Sequence, residues 1–302
     1  MDSDLVYAQS CRGELQCLGA ADGSLRWHVN YVKDFGAGFT GEVGLSVGAA
    51  RHGYNAAPVI EGERLFTMAG GPDGAGVLCL DKKTGKVVWK SQNDEASYAA
   101  PVLAEIGGVR QLICFSAEAL LALNPADGKL LWRVPLKTSF ARHITTPVVA
   151  GDTVMVASHE IGLVGIKVSH DAAAWQAVLK WTNKNAAMNM ASPVAAGNNV
   201  YGLGPAKNLL CIEPQTGKLA WSKTGYISSS GDRAMASFIV MGKNILSLTD
   251  GGQLVMFAAD PAEFREISRA QVCGKTWCSP AFADGKLYLR DAKSLYCADV
   301  ME

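Results

Sequence analysis

The chain lacks the features that mark membrane, nucleic-acid-binding and helical proteins. No apolar stretch approaches the roughly 18 residues that a membrane-spanning helix needs. Met1 is not followed by the basic region and apolar core of a signal peptide. The 28 basic and 28 acidic residues cancel, which argues against a nucleic-acid footprint and against attraction to anionic lipid. No long segment has helical periodicity, so βαβ units are not expected.

What the chain does contain is a repeat. A phrase of the form Asp-x-x-Thr-Gly-Lys-x-x-Trp recurs in exact or looser copies that end at Trp27, Trp89, Trp132 and Trp221. A second phrase, Ala/Ser/Thr-Pro-Val or a variant of it, leads each unit. Successive copies of this second phrase are 42 to 46 residues apart and centre on Pro58, Pro101, Pro147, Pro193, Phe238 and Pro280. A period near 44 residues in strand-rich sequence predicts a propeller or a repeat array.

Each period is interpreted as four short strands. In residues 57–90, short β-branched or aromatic runs alternate with Gly, Pro and Asp turns, which is typical of all-β repeats. The turn glycine supplies a positive φ without a Cβ clash. The Trp that follows is expected to bury its ring between neighbouring sheets. In the fourth unit, residues 167–175 replace the tight turn, so we expect a longer hairpin there with Trp181 as the docking ring.

Counting the periods gives seven units. Five contain four strands, whereas the first lacks an innermost strand and the last stops before its Trp hairpin. We therefore predict an all-β propeller of about seven blade equivalents with four-stranded antiparallel blades, forming one domain over residues 1–302. Because the two incomplete units do not sum to one shared blade, we expect an incomplete or strained closure.

The eight cysteines are not interpreted as a disulfide framework. Cys17, Cys79, Cys211 and Cys297 occupy the same place in four different units, which is too far apart for bridges. They and Cys114 are expected to be small buried hydrophobic residues. Cys273 and Cys278 could pair or bind a metal, but no second Cys/His pair with zinc spacing stands nearby.

The hairpins and the Pro-Val phrases together resemble the pyrroloquinoline-quinone-like β-propeller superfamily, and the resemblance covers nearly the whole chain. The linking segments 30–36 and 105–111 resemble its exported, eight-bladed bacterial branch. That resemblance implies a periplasmic or secreted protein and a missing blade before residue 1. The superfamily includes quinone-dependent alcohol dehydrogenases and non-catalytic members such as a propeller lipoprotein of outer-membrane assembly, so the fold does not decide the function.

The dehydrogenases of this superfamily use an adjacent Cys-Cys disulfide, a Trp platform and calcium ligands around the quinone. This sequence has no Cys-Cys dipeptide. Its one acidic candidate for calcium, residues 93–95, is better interpreted as a solvated turn. We expect no cofactor and no metal, with pyrroloquinoline quinone and calcium as the alternative.

A candidate site is predicted at the mouth of the propeller channel. In a propeller, the segments that lead into the innermost strands gather there, and here they are rich in cationic and aromatic residues. The predicted ligand-binding residues are Arg51, His52, Tyr54, Tyr98, Arg142, His143, Asn189, Arg233, Lys275 and Trp277. Convergent polar groups at a concave mouth favour binding, and clustered arginines favour an anion. The alternative is that these side chains solvate the channel.

Three functional classes follow. The leading one is a non-catalytic extracytoplasmic propeller that binds a protein partner, or an anionic small molecule or glycan, at the channel mouth. The second is a quinone-dependent alcohol dehydrogenase. The third is a polysaccharide lyase or hydrolase that uses the His, Tyr and Arg residues for acid–base chemistry. No nucleic-acid partner and no transmembrane segment are expected.

Overall fold

The structure is a computed structural model that describes residues 2, 4–39, 48–171, 174–227 and 234–300. Within these ranges the chain forms strands joined by tight turns, with four short helical segments. The strands make seven separate antiparallel sheets, five with four strands and two with three. The predicted all-β propeller class, with its four-stranded antiparallel blades, is confirmed.

The first three sheets follow the chain order of their strands. The first sheet has three strands and the next two have four, and their bounds are β1 (Leu5–Gln9), β2 (Glu14–Gly19), β3 (Leu25–Asn30), β4 (Val59–Glu61), β5 (Arg64–Met68), β6 (Val77–Asp81), β7 (Val87–Ser91), β8 (Val102–Ile106), β9 (Val109–Phe115), β10 (Ala119–Leu123) and β11 (Leu130–Pro135).

The remaining four sheets continue the same meander. Three have four strands and the last has three, and their bounds are β12 (Val148–Ala150), β13 (Thr153–Ser158), β14 (Gly162–His170), β15 (Trp175–Asn183), β16 (Val194–Ala196), β17 (Asn199–Leu203), β18 (Leu209–Ile212), β19 (Leu219–Lys223), β20 (Ala236–Met241), β21 (Asn244–Thr249), β22 (Gln253–Ala258), β23 (Glu266–Gln271), β24 (Ala281–Ala283), β25 (Lys286–Arg290) and β26 (Leu295–Asp299).

The two three-stranded sheets are the ones that the sequence marked as incomplete. In the first sheet, β1 corresponds to the second strand of a four-stranded sheet. In the last sheet, β26 corresponds to the third strand, which in the other sheets is followed by the turn and the fourth strand. Contacts divide the chain into two compact units, Met1–Pro147 with Ile166–Leu179, and Val148–Gly165 with Lys180–Glu302. Each unit has its own apolar core, so a single domain over residues 1–302 stays a prediction.

The helical segments are short and lie in the linkers between sheets. They are α1 (Tyr31–Phe35), α2 (Gly48–His52) and two single 3₁₀ turns, Ser139–Ala141 and Lys184–Ala186. The side chain of Asn30 caps α1 by accepting from the amides of its first turn. Within the described ranges no helix is long and apolar enough to cross a membrane.

The repeated tryptophans join neighbouring blades in a constant way. The Trp on the outermost strand of one sheet donates its indole N–H to a carbonyl in the last turn of the next sheet. The pairs are Trp27 with Lys82 at 2.9 Å, Trp89 with Pro125 at 3.1 Å, Trp181 with Pro214 at 2.9 Å and Trp221 with Asp260 at 2.9 Å. Each bond satisfies the indole while its ring covers apolar surface.

The turn glycines lie directly under these rings. A Cβ built on Gly85 would sit 2.7 Å from the Trp27 ring, and one on Gly128 would sit 2.6 Å from the Trp89 ring. Gly217 is in the same relation to Trp181. The glycine of the repeat therefore has two functions, because it also adopts a φ near +70° in each of these turns.

The fourth sheet departs from this rule as expected. Its β14–β15 hairpin has nine residues in each strand and lacks the Gly turn. The preceding tryptophan, Trp132, donates instead to Gln111 Oε1 of its own sheet at 2.7 Å. Trp181 still docks, as predicted. The predicted burial of the five rings is found in full for Trp27 and Trp132, whereas Trp89, Trp181 and Trp221 are half-buried.

Strand pairing is irregular at the outer edge of five sheets. In four of them, the register between the third and fourth strands shifts directly after the residue that pairs with the Trp. In the sixth sheet the shift follows the residue that pairs with Ser268. Such a shift marks a β-bulge, which twists the outer strand locally. The β25–β26 pair of the last sheet has no such shift.

The cysteines follow the predicted pattern with one exception. Cys17, Cys79, Cys114 and Cys211 are buried, and all eight cysteines are free, including Cys273 and Cys278. The expectation that Cys297 is buried was wrong, because its side chain is exposed. Its strand, β26, is the last of the three strands that this sheet has within the described residues, and none of them lies on its outer side.

Candidate functional site

The strongest concentration of predicted site residues lies in the first compact unit, around α2. Arg51, near the end of α2, places its guanidinium carbon 4.3 Å from the centre of the Phe140 ring. This geometry is a cation–π contact. Phe140 is 38 % exposed and has a φ of +60°, a conformation that non-glycine residues adopt rarely.

Two nitrogens of the Arg51 guanidinium need a partner. Nε and Nη1 are buried, and no atom of the described residues forms a hydrogen bond with them. Buried charged donors without acceptors are unfavourable, by about 1 to 3 kcal/mol or more for each group. An incoming carboxylate or phosphate oxygen would satisfy them, because guanidinium N–H groups match such oxygens in pairs.

Tyr98 joins the same cluster. Its hydroxyl donates to the carbonyl oxygen of Gly48 at 2.5 Å, and its ring lies 6.0 Å from that of His52, which is exposed. Burial raises the pKa of the Tyr98 hydroxyl, while the positive charges of Arg51 and Arg142 oppose that rise in pKa. Both arginines are therefore close enough to the Tyr98 hydroxyl to lower its pKa. We name Arg51, Tyr98, Phe140 and Arg142 the arginine cluster.

Two predicted site residues of this unit lie in the core instead. His143 is fully buried, its ring stacks on Phe115 at 4.1 Å, and its Nδ1 lies 2.6 Å from the carbonyl oxygen of Ser116. Tyr54 is 4 % exposed and donates its hydroxyl to the carbonyl oxygen of Gly38 at 2.8 Å. Burial raises the pKa of Tyr54 to about 12. Both side chains support the loops that carry the cluster.

The second compact unit holds the other predicted site residues that the structure describes, Asn189, Lys275 and Trp277. Asn189 lines a cavity of about 180 Å³ together with His159, Leu203 and Lys207. Its Oδ1 atom is buried without a hydrogen-bond partner among the described residues. Lys275 and Trp277 are exposed, Trp277 by 49 %. Arg233 lies outside the described residues.

The acidic candidate for a calcium site is occupied by internal bonds. Arg133 Nη1 donates to both carboxylate oxygens of Asp94 at 2.8 Å, and Ser116 Oγ donates to Oδ2 at 2.5 Å. The Oδ1 of Asn93 accepts from the amide of Gly74. These oxygens do not fit a calcium ligand set, since an arginine competes for the same lone pairs. Elsewhere in the described ranges, no three His, Cys, Asp or Glu side chains group as metal ligands.

Sequence reasoning missed two members of this region. Phe140 was within a segment assigned to the channel mouth but was not itself proposed as a site residue. The only feature of the sequence that points to Phe140 is its position two residues before Arg142. The Asp94–Arg133 ion pair joins residues 39 positions apart, and no local pattern points to that pairing.

Comparison with solved structures shows which fold class the chain has. The crystal structure of BamB from Moraxella catarrhalis matches with a TM-score of 0.63 at 16 % identity, over 97 % of this chain and 78 % of that one. The computationally designed protein Ika8 matches with a TM-score of 0.53 at 10 % identity, over 95 % and 90 % of the two chains. At these identities the matches show the fold alone, a β-propeller.

The particular family follows from sequence. The profile of the family described as outer membrane protein assembly factor BamB matches residues 1–223, which is well over half of the chain. The chain belongs to this family.

Curated relatives agree with this assignment. Outer membrane protein assembly factor BamB of Moranella endobia is 31 % identical over 169 residues, 54 % of this chain and 42 % of the relative. That of Shewanella oneidensis is 24 % identical over 192 residues, 58 % and 48 % of the two chains. The chain spans less than half the length of these relatives in the matched regions.

Proposed function

We propose that this chain is a non-catalytic scaffold of the periplasm that binds a protein partner in outer-membrane protein assembly. Its membership of the family described as an outer membrane protein assembly factor supports this proposal. Binding is also favoured over catalysis, because Asp94 is held in an ion pair with Arg133 and the side chains of His143 and Tyr54 lie in the core. Three of the polar groups that an acid–base or calcium mechanism would need are engaged in internal bonds.

The arginine cluster is the proposed contact with the partner. The observation that carries this is the pair of buried Arg51 nitrogens without acceptors, beside a second arginine and an exposed aromatic ring. An acidic side chain of the partner would bond Arg51 through two parallel N–H···O contacts. The exposed face of Phe140 would then pack against the methylene groups of that side chain.

The test is a titration with a short peptide rich in Glu, followed by NMR of the arginine side-chain Nε–H signals. We expect the Arg51 signal to shift on binding, since its Nε gains an acceptor. Arg51→Met and Arg142→Ala should each weaken binding about 10-fold or more, as expected for a charge-assisted hydrogen bond of about 1.5 to 3 kcal/mol. Arg12→Ala, at an exposed arginine of the same unit outside the cluster, is the control for loss of a positive charge and should leave binding unchanged.

The same experiment separates the alternatives. Equal binding by wild type and the Arg51→Met, Arg142→Ala double variant would remove the cluster from the proposal. Absence of peptide binding together with tight binding of pyrroloquinoline quinone and calcium would replace the scaffold with the dehydrogenase class.

A further inference from the structure

A cavity in the second compact unit is not used by the proposed function. It has a volume of about 180 Å³ and lies among the loop after β13, the linker that leads to β16 and the turn between β17 and β18. Most of the residues that line it are apolar, among them Met190, Ala191, Leu203 and Pro205. Pockets for drug-sized ligands measure about 300 to 1,000 Å³, so this cavity has room for one functional group on a short aliphatic stem.

One polar group of the cavity wall lacks a hydrogen bond. The carboxamide oxygen of Asn189, Oδ1, is buried and has no partner among the described residues. His159 lines the same cavity, but both of its ring nitrogens already have partners. Nδ1 lies 3.2 Å from Ser158 Oγ, and Nε2 lies 3.3 Å from Glu160 Oε1. A buried amide oxygen without a donor is unfavourable, so a ligand that brings an N–H group to Asn189 would be stabilised.

The walls of the cavity are fixed before any ligand enters. Ala191 and Leu203 are buried in the core. In the turn after β17, the amide of Gly204 donates to the carbonyl of Asn208 at 2.8 Å, and the amide of Lys207 donates to the carbonyl of Gly204 at 3.1 Å. Lys207 has a φ of +58°, a conformation that is rare for non-glycine residues and that is found preferentially at functional sites. The cavity is therefore preformed.

We propose that this cavity binds a small neutral molecule that carries a primary carboxamide. Such a group has an N–H and a carbonyl oxygen on the same side, so it can bond Oδ1 and Nδ2 of Asn189 through two parallel hydrogen bonds. An ionised carboxylate has no proton to donate to Oδ1. An amine would add a second positive charge to a cavity that Lys207 also lines. The aliphatic stem of the molecule would cover Met190 and Leu203.

The geometry of the amide separates this ligand from a polypeptide backbone. A peptide bond is almost always trans, so its N–H and its carbonyl oxygen point in opposite directions. A secondary amide can therefore make only one of the two bonds with Asn189. The proposal is also independent of the arginine cluster, because it uses none of its residues and takes a neutral ligand instead of an acidic one. Each proposal can fail while the other stands.

The probe is butyramide, a primary amide with a short alkyl stem. NMR of the intact chain with isotope-labelled methionine methyl groups follows its binding, because Met190 lines the cavity, and Met190→Leu identifies the signal. We expect a saturable shift of the Met190 signal in the millimolar range and no shift for Met241, which lies on β20 outside the cavity lining. N-methylbutyramide should bind about 10-fold more weakly, since it loses one of two hydrogen bonds, and sodium butyrate should give no saturable shift.

Two variants locate the site. Asn189→Leu nearly keeps the size of the side chain but has no donor or acceptor, so butyramide should bind about 10-fold or more weakly. Because this change removes a buried oxygen that has no partner, the variant should be at least as stable as the wild type in urea melts. Asn185→Leu is the matched control, at an exposed asparagine of the same linker outside the cavity lining, and it should leave binding unchanged.

Several outcomes would overturn the proposal. They are the absence of a saturable Met190 shift with butyramide, equal binding of N-methylbutyramide or butyrate, and equal affinity of the wild type and Asn189→Leu. Loss of stability in Asn189→Leu would assign the side chain a structural role instead. Weaker binding by Asn189→Leu alone, at unchanged stability and with butyramide preferred over its N-methyl form, supports the proposal.

Discussion

The contact between Trp89 and Gly128 can be dissected with a double-mutant cycle. The ring is half-buried, donates to Pro125 at 3.1 Å and rests on the glycine of the next sheet. Truncation of a buried aromatic residue costs about 3 to 5 kcal/mol. Since part of this ring is exposed, we expect Trp89→Ala to lower the free energy of unfolding by about 3 kcal/mol, the lower end of that range.

Gly128→Ala should be destabilising for two separable reasons. The residue has a φ of +73°, and a left-handed conformation costs a residue with a Cβ about 1 to 2 kcal/mol. The new methyl group would also lie 2.6 Å from the Trp89 ring, and overpacking of this kind adds about 1 to 3 kcal/mol. The single variant should therefore lose about 2 to 5 kcal/mol in total.

The two changes should not add. Once Trp89→Ala removes the ring, Gly128→Ala retains only its backbone strain, so the coupling energy should be about 1 to 3 kcal/mol. Urea unfolding followed by far-ultraviolet circular dichroism measures all four proteins without using the altered indole. Gly151→Ala, at a φ of +61° with open space above it, isolates the strain alone. Additivity within about 0.5 kcal/mol would refute the proposed contact.

Three further outcomes are expected. Asp94→Ala should lower the free energy of unfolding by about 3 kcal/mol in urea melts, because Arg133 loses its partner at 2.8 Å in a mostly buried pair and keeps only Glu118 at 3.9 Å; a change below about 1 kcal/mol would show that the pair is dispensable. The pKa of Tyr54 is raised to about 12 in the folded protein. The stability that comes from keeping this hydroxyl protonated is therefore present in full below pH 10, and about 2 to 3 kcal/mol of it is lost as the pH rises towards 12. Tyr54→Phe should remove that part of the alkaline loss in melts at pH 9 and 12, and identical slopes in both proteins would contradict it. Cys11 and Cys297, both exposed, should react with a thiol reagent in the folded protein, whereas the four buried strand cysteines should react only in denaturant.

The repeat spacing predicted most of the architecture because the blades are local in sequence. Each sheet is a meander of consecutive strands, so turn residues and strand runs suffice to count five complete and two incomplete units. The second function of Gly85 could not be predicted, since Trp27 reaches it from 58 positions away and from another sheet. The sequence of the turn shows only that a residue able to adopt a positive φ is needed at this position.

The site was harder to predict than the fold. The segments that hold Arg51 and Arg142 were identified from their place before an innermost strand, and the structure brings both near Tyr98. The same register argument also selected His143 and Tyr54, which lie in the core. Position in a loop does not fix the direction of a side chain, and that direction depends on rings such as Phe115 that come from other strands.

The β-bulges at the outer strands have a consequence for behaviour in concentrated solution. A straight, unpaired strand edge invites a strand of another molecule, and repetition of that event produces fibrils. The outer strands carry exposed aliphatic side chains such as Leu25, Val87 and Leu130, which would favour such growth. The bulge breaks the ladder beside each of them and so makes addition of a foreign strand unfavourable. The ladder between β25 and β26 has no shift, so this protection is absent there, and a charged residue in place of Leu295, which is 77 % exposed on β26, should delay aggregation.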